Sequence, residues 1–309
     1  MTKPSFSIVV PVYGVEKYIG RCAETLFSQT YDNIQFVFVN DGTKDKSMEV
    51  LAEVLEGYQH LKDRVVIVNK ENGGLPAARK TGMEYVTGDY VLHVDSDDWL
   101  ELDAIELIAE KAVETSADII YFDFYKVYSN RIKHDKEYDY TASDKARFIR
   151  NLFNYNSYGY VWNKCVKREL YLKHEVFFPK FAMHEDIYLM TQLIWYAESI
   201  VHLKAPLYHY RRTNPGSITA GNRKKRRGDS CMNLIDLYEH FKDNVPDSPV
   251  SPVLTDIFLR SGWFSVVYDF GYFEKYPYLA EMIRRTPISL GHKPFILFQI
   301  FIKLYAMFR

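Results

Sequence analysis

The chain has 309 residues and a mass of 36.3 kDa, which suits one large domain or two modest ones. Its formal net charge of −1 excludes a general nucleic-acid binder, because such proteins need a basic surface. Three widely spaced cysteines without a CxxC pair argue against a disulfide framework and favour a reducing cytosol. The apolar run before Pro11 is too short for a signal peptide, and no run reaches the length of a spanning helix.

Short apolar runs rich in β-branched residues alternate with helix-like segments in the first part of the chain. The predicted strands are Phe6–Val12, Ile34–Asn40, Val65–Asn69, Tyr90–Val94 and Ile119–Phe124. Strands that are apolar on both faces need cover on both sides, so this order predicts an α/β fold with a mostly parallel central sheet and helices on both faces. Further helices are predicted near 142–156 and 186–197, a loop at 214–229, and helical structure beyond it.

Polar clusters follow four of the predicted strands at the point where each strand ends. They are Pro11–Tyr13, Asn40–Thr43, Asn69–Gly74 and Asp95–Asp98. Ligands of such sheets bind at the carboxyl ends of the strands. We therefore expect the four clusters to converge on one crevice.

Three aspartates within four positions close the fourth strand. If the strand continues through them, Asp95 and Asp97 point to the same side of the sheet. Two carboxylates on one side can hold Mg²⁺ or Mn²⁺ together with phosphate oxygens of a ligand. The alternative is an acidic turn in which Asp98 caps a helix that begins near Leu102.

Four segments, taken together, carry a resemblance to a known family. They are SIVVPVYGVEKYIGRCAETLFSQTYDNIQFVFVNDGTKDKS, NKENGGLPAARKTGMEYVTGDYVLHVDSDDWL, VWNKCVKREL and HEDIYL. In order and spacing they resemble the family 2 inverting glycosyltransferases of the GT-A (Rossmann-like) fold, of the bacterial cell-surface polysaccharide type. The resemblance implies a catalytic domain over 1–215, with a nucleotide-binding half at 1–115 and an acceptor half at 116–215, and a C-terminal helical region over 216–309.

The resemblance also implies the reaction and the residues around the nucleotide. A sugar would pass from a nucleotide-sugar donor, expected to be a UDP-sugar, to a glycan or lipid-linked hydroxyl acceptor. Asp41 would accept a hydrogen bond from the uracil N3–H, although Asn40 and Thr43 replace the aspartate and serine that the family usually has, which leaves the base open. An Asx-turn at Asp41 is compatible with that role. The wall around base and ribose would be formed by Pro11, Val12, Tyr13 and Glu16.

A glycine loop that leads into a helix is the implied diphosphate site. Backbone N–H groups after Asn72 and Gly73, together with the guanidinium of Arg79, suit a pyrophosphate. Lys80 departs from the asparagine that the family often has there. The alternative is a plain turn followed by a surface arginine.

The resemblance assigns the metal and the base to acidic residues. Asp97 would ligate Mn²⁺ or Mg²⁺ directly, and Asp95 would contact the metal, its water or the ribose. Asp186 would be the general base, with Glu185 beside it, at the start of a helix whose dipole favours carboxylates. His184 is expected to be a surface residue, with a third metal neighbour or an acceptor contact as the alternatives.

Two later motifs are expected near the acceptor and the diphosphate. Trp162, followed by Asn163 and Lys164, either stacks on an acceptor sugar or belongs to the core. His209 or Arg211, in HYRRTNPGSIT, would close over the diphosphate.

A basic run at 223–227 and an apolar tail at 292–309 leave two alternatives open. The tail either packs on the domain or in a dimer contact, or it lies in a membrane interface while the basic run binds anionic lipid. The expected location is the cytoplasm, with peripheral attachment to the inner face of the plasma membrane as the second alternative.

Two other functions compete with glycosyl transfer. A nucleotidyltransferase would carry a glycine-rich, basic loop directly after the first strand, and VPVYGVEKYIG lacks it. A non-catalytic nucleotide-sugar-binding partner would not need an acidic residue at position 186.

Overall fold

The computed structural model describes residues 3–154, 156–214 and 232–241. The chain divides into two compact units, Met1–Gly221 and Asn222–Arg309. The described part of the second unit is a helix at 232–241. The basic run at 223–227 and the tail at 292–309 lie outside the described residues. Within the described ranges, no helix is long and apolar enough to cross a membrane.

The first unit is built on a mixed sheet with the order β3-β2-β1-β4-β8-β6-β9-β5, with β7 beside β6. The strands are β1 Phe6–Val12, β2 Ile34–Asn40, β3 Val65–Asn69, β4 Tyr90–His93, β5 Trp99–Leu100, β6 Ile119–Val127, β7 Ile132–Asp135, β8 Lys164–Lys167 and β9 Ile200–Arg211. The first four strands are parallel to one another. The other half is mixed, because β8 runs antiparallel to both β4 and β6, whereas β6 and β9 are parallel.

Seven α-helices flank the sheet of the first unit within its described residues. They are α1 Ile19–Phe27, α2 Ser47–Glu56, α3 Leu75–Met83, α4 Ala104–Thr115, α5 Lys145–Phe153, α6 Arg168–Lys173 and α7 Glu185–Tyr196. Of these, α1 and α3 lie on opposite faces of the parallel half. Side chains of β1 alternate, so Ile8 and Val10 pack with α1 and α4 in the main core. Val9 points to the opposite face, where α3 approaches so closely that a Cβ on Gly82 would lie 2.4 Å from Val9 Cγ1.

The predicted α/β fold and the positions of the first five predicted strands are confirmed. Two local expectations at the acidic turn were wrong. The strand ends at His93, and Asp98 N donates to Asp95 O at 3.0 Å, so the aspartates lie in a turn rather than on one side of a strand. The following helix begins at Ala104 with Asp103 as its N-cap, so Asp98 does not cap it.

Candidate active site at the strand ends

Asp41 holds the glycine loop that precedes α3. Its Oδ1 accepts hydrogen bonds from Gly73 N at 2.9 Å and Lys70 Nζ at 2.6 Å, and its Oδ2 accepts one from Gly74 N at 2.8 Å. Gly74 has φ +85°, a conformation that favours glycine, and it is the N-cap of α3. Asp41 is buried, so most of its acceptor capacity serves the loop, and Oδ2 keeps room for one further donor.

The loop after β2 is closed by the side chain of Asn40, and Asp41 makes no Asx-turn because its carboxylate accepts from Lys70, Gly73 and Gly74. Asn40 Oδ1 accepts the Thr43 N–H at 2.9 Å, and Asn40 Nδ2 donates to Asn69 Oδ1 at 2.9 Å. This pairing ties the end of β2 to the end of β3. Asn40 and Thr43, which replace the aspartate and serine usual in the family, therefore have hydrogen-bond partners within the protein.

The predicted nucleotide wall is only partly accessible. Pro11 and Val12 are buried, whereas the Tyr13 side chain is 55% exposed and offers a ring for stacking. Glu16 is exposed, and its Oε2 accepts a hydrogen bond from Lys46 N at 3.0 Å. Tyr13 is thus the wall residue with a free aromatic surface. Asn72 and Gly73, in the neighbouring loop, are also exposed.

Asp45, which the sequence analysis missed, joins the loops after β1 and β2. Its Oδ1 accepts hydrogen bonds from Thr43 Oγ1 at 2.7 Å and from Ser47, and its Oδ2 accepts one from Glu16 N at 3.0 Å. Burial alone would raise the pKa of Asp45, but these hydrogen bonds lower it to about 2. The signal was present in the sequence, because Asp45 stands two residues before the serine that begins α2.

Asp98 fixes the acidic turn to β9. Its Oδ2 accepts the Tyr208 hydroxyl at 2.8 Å, and its Oδ1 accepts the Arg211 N–H at 2.7 Å. Asp98 is fully buried, and burial together with the charges of Asp97 and Asp95 raises the pKa of Asp98 well above its usual value. Asp98 therefore has a structural role, and Tyr208 is a second residue that sequence reasoning missed.

Asp95 and Asp97 are the carboxylates of the turn that remain partly accessible. Asp97 Oδ2 accepts a hydrogen bond from Asn214 Nδ2 at 2.7 Å. Burial first, and then the charge of Asp95, raise the pKa of Asp97. A carboxylate destabilised in this way gains from a nearby cation.

The carboxylates of Asp95 and Asp97 suit a hard divalent cation that also binds a ligand. The described residues contain no cluster of three or more His, Cys, Asp or Glu side chains arranged for a metal. Two carboxylates with remaining sites filled by phosphate and water are the usual arrangement for Mg²⁺. Asp95 and Asp97 would hold such an ion, and the Asn214 amide helps to orient Asp97.

Arg79 connects the acidic turn to the start of α7. Its NH2 donates to Asp95 Oδ1 at 2.6 Å, and its NH1 forms an ion pair with Glu185 Oε1. The Arg79 side chain is 2% exposed. The alternative of a surface arginine is therefore wrong, and two of the three guanidinium nitrogens are bonded to carboxylates.

Asp186 follows Glu185 in the first turn of α7. Burial raises the pKa of Asp186 to about 6, while the positive charges of Arg79 and Lys164 act in the opposite direction. Asp186 Oδ1 accepts its nearest backbone N–H, that of Ile187, at 2.9 Å. A carboxylate with a pKa near 6 is a suitable general base at neutral pH.

His184 is the N-cap of α7 and has a left-handed backbone with φ +58°. Such a conformation costs a non-glycine residue about 1 kcal/mol or more. The chain thus enters α7 through an unfavourable residue directly before Glu185 and Asp186. Tertiary contacts of the helix start must offset that cost.

Trp162 belongs to the core rather than to an open acceptor surface. Its ring is buried and stacks on Tyr160 at 4.5 Å and on Tyr208 at 4.2 Å, measured between ring centroids. Lys164 is also buried, and its Nζ donates to the carbonyl of Tyr158 at 2.7 Å and to Asn163 Oδ1 at 2.7 Å. The charge of Lys164 acts on Asp186, and the stacked rings leave no free Trp162 face for a sugar.

The late motif places Arg211, not His209, beside the acidic turn. Arg211 Nε donates to Asp97 O at 2.9 Å, and its guanidinium carbon lies 4.9 Å from the ring centroids of Tyr18 and Trp99. The His209 ring stacks between Trp99 and Tyr125, and its Nε2 lies 2.7 Å from Glu101 Oε1. His209 is therefore engaged away from the aspartates.

The fold is similar to that of known nucleotide-sugar-binding proteins. S. aureus TarS 1–349 in complex with UDP-GlcNAc superimposes with a TM-score of 0.73 at 18% identity, over 98% of this chain and 88% of that chain. The mannosyltransferase PcManGT from Pyrobaculum calidifontis, in complex with GDP-Man and Mn²⁺, gives a TM-score of 0.57 at 15% identity, over 99% and 88%. These similarities define the fold class, GT-A, as expected.

Sequence comparison identifies the family. The model of glycosyl transferase family 2 matches residues 7–173, more than half of the chain, and the protein belongs to that family. EpsH of Bacillus subtilis is 33% identical over 216 residues, which are 68% of this chain and 62% of EpsH. Glycosyltransferase GlyA of Streptococcus pneumoniae is 34% identical over 216 residues, which are 66% of this chain and 30% of GlyA. The chain thus spans less than two thirds of either relative.

Proposed function

We propose that the protein is a metal-dependent, inverting glycosyltransferase that moves a sugar from a nucleotide donor to a hydroxyl acceptor. The donor is a UDP-sugar, and the acceptor is a glycan or a lipid-linked saccharide. The catalytic domain comprises 1–215, with donor residues in 1–115 and acceptor residues in 116–215. Of the helical region expected over 216–309, only 232–241 lie within the described residues. The observation that carries this proposal is the Arg79 bridge, because it connects the carboxylate pair to the helix start that bears Asp186.

Inverting transfer requires a base on one side of the anomeric carbon and stabilisation of the leaving diphosphate on the other. Asp186 takes the proton from the acceptor hydroxyl while the acceptor oxygen bonds to the anomeric carbon. The bond from that carbon to the diphosphate oxygen breaks, and the nucleoside diphosphate leaves with the electron pair. Attack from the face opposite the leaving group inverts the configuration. A divalent cation on Asp97 and Asp95 would neutralise the charge that develops on the diphosphate.

The nucleotide side is supported by the loops at the ends of β1 to β3. Tyr13 is open for stacking, and Asp41 Oδ2 keeps one acceptor position. The N–H groups of Gly73 and Gly74, which the family resemblance implied for the diphosphate, donate to Asp41 instead and are not free for that role. Arg211 adds a guanidinium beside the acidic turn. TarS, whose fold this chain shares, has been solved with UDP-GlcNAc, which supports a UDP-sugar as donor.

A transfer assay with a panel of nucleotide sugars tests the proposal. The protein is incubated with each donor, Mn²⁺ and saccharide acceptors, and the products are identified by mass spectrometry and the anomeric configuration by NMR. We expect transfer with inversion, and loss of transfer in Asp186→Asn and in Asp97→Ala but not in Asp103→Asn, an exposed control. Donor binding without turnover indicates a sensor instead, and formation of a nucleotide sugar from a sugar phosphate indicates a nucleotidyltransferase.

The location proposed is the cytoplasm, and peripheral attachment to the inner face of the plasma membrane, where lipid-linked acceptors would be reached, is the alternative to be tested. That attachment rests on the sequence of 292–309 and 223–227. Deletion of 292–309 should move the protein from the membrane to the soluble fraction. Unchanged partitioning contradicts the membrane role and favours packing on the domain or a homodimer contact.

A further inference from the structure

We propose that Arg79 is a positioning residue that fixes the start of α7 against the donor side, and that it is not a ligand of the diphosphate. This inference rests on the proposed function. It replaces the expectation drawn from the family resemblance, in which the guanidinium of Arg79 binds the pyrophosphate.

Carboxylates use two of the five N–H donors of Arg79, and the burial of its side chain shields the others from an incoming ligand. NH1 and NH2 are used by Glu185 and Asp95, and the side chain is 2% exposed. Among the described residues, Arg79 Nε and Glu185 Oε2 have no hydrogen-bond partner, and both atoms are buried. To reach a diphosphate, Arg79 would have to abandon Glu185, and a buried carboxylate without its partner is strongly unfavourable.

The ion pair between Arg79 and Glu185 also anchors the start of α7, which bears the proposed base. Glu185 is the first residue of α7, and Asp186 is the second. Since His184 enters the helix with φ +58°, the Glu185 ion pair supplies an anchor directly after an unfavourable residue. Arg79 thereby sets where the Asp186 carboxylate lies relative to the acidic turn.

The charge of Arg79 also acts on Asp186. The charged groups that influence the pKa of Asp186 are Arg79 and Lys164, which lower it, and Asp95, which raises it. Tyr160 also lies within the electrostatic range of Asp186. Arg79 is the larger of the two lowering charges, so its removal leaves the base easier to protonate.

The test separates a positioning role from diphosphate binding. Arg79→Lys keeps the charge but cannot form both bonds, and the double variant Arg79→Gln/Glu185→Gln removes both charges without leaving either one buried alone. Lys80→Gln, an exposed neighbour on α3, is the matched control. UDP affinity in Mn²⁺ is measured by calorimetry, and kcat, KM and the pH profile by the transfer assay.

We expect UDP affinity to stay within about threefold of the unmodified protein in Arg79→Lys and in the double variant. We expect kcat to fall about 100-fold, the loss that follows from misplacing a catalytic group by about 1 Å. In the single variant Arg79→Gln the acid limb of the kcat profile should move to higher pH, because the charge that lowers the pKa of Asp186 is lost. A loss of UDP affinity equal to the loss of kcat/KM, or an unmoved acid limb, overturns the proposal.

A double-mutant cycle between Arg79→Gln and Glu185→Gln supplies a second readout. If the two residues act as one unit, the second substitution costs much less kcat than the first. Additive losses contradict the coupling. The pKa of the Asp186 carboxyl, followed by NMR, tests the effect of Arg79 even if the unmodified protein transfers no sugar, an outcome that would overturn the proposed function alone.

Discussion

Tyr208 and Asp98 form a buried hydrogen bond that attaches β9 to the acidic turn. The Tyr208 hydroxyl donates to Asp98 Oδ2 at 2.8 Å, and the Tyr208 hydroxyl oxygen accepts the N–H of Asp95 at 3.1 Å. One hydroxyl therefore joins both ends of the turn that bears Asp97. The geometry of the proposed cation site depends on a residue far from it in sequence.

Replacing Tyr208 tests this attachment. Tyr208→Phe leaves Asp98 Oδ2 and Asp95 N without the hydroxyl, and we expect the free energy of unfolding to fall by about 1–3 kcal/mol. Tyr210→Phe is the control, because its hydroxyl accepts a bond from the exposed Arg212. Urea denaturation compares the two variants. Equal losses would contradict the buried bridge.

Asp97 is expected to reduce stability when no cation is present. Burial and Asp95 raise the pKa of Asp97, so ionising it at neutral pH costs free energy in the folded state. This cost diminishes as the pH falls below the raised pKa and is lost at the ordinary pKa of an unfolded aspartate. Asp97→Asn should therefore raise the Tm of the metal-free protein by about 2–4 °C. It should also diminish the further rise in Tm caused by Mn²⁺ with UDP. Asp103→Asn, with an exposed carboxyl, should change neither value.

The pH dependence of turnover should reflect Asp186. The base must be ionised to accept a proton, and its pKa is raised to about 6. We expect kcat to be constant above that pH and to fall about tenfold per unit below it. The acid limb should lie within about one pH unit of that pKa, so its absence between about pH 5 and 7 would contradict the assignment of Asp186 as the base.

Two helical glycines allow a matched test of close packing. A Cβ at position 82 would meet Val9 Cγ1 at 2.4 Å, whereas one at position 20 would lie 3.4 Å from Val50 Cγ1. Gly82→Ala should cost about 1–3 kcal/mol of unfolding free energy. Gly20→Ala should be neutral or stabilising, by up to about 1 kcal/mol, because alanine favours the helix. Thermal or urea unfolding decides between these outcomes.

The parallel half of the fold was predictable because its strands are apolar on both faces. Each run ends in a turn signal, such as the Asp41–Gly42 pair after β2, and the strand bounds follow from it. In contrast, β9 mixes aromatic, basic and small residues, since its side chains contribute to polar networks as well as to the core. Short β5 and β8 depend on distant partners, which a local pattern does not record.

The candidate site was predictable in its residue types but not in its bonding. The acidic turn and the helix start at Glu185 follow from strand ends and helix signals. The partner of Arg79 stands at position 185, so only the tertiary structure shows that the guanidinium is buried. Trp162 is a second example. A tryptophan can stack on a sugar ring, but the tertiary structure places the Trp162 ring against Tyr160 and Tyr208.

The sheet has a narrow junction between its two halves. Strand β4 pairs with β8 only through Tyr90 with Lys167 and Val91 with Val166, whereas β1 pairs with β2 along its whole length. The pairing of β5 with β9 is a second backbone connection between the halves. Because Arg79 spans from the donor half to α7, its ion pairs with Asp95 and Glu185 add a side-chain connection to these short ladders.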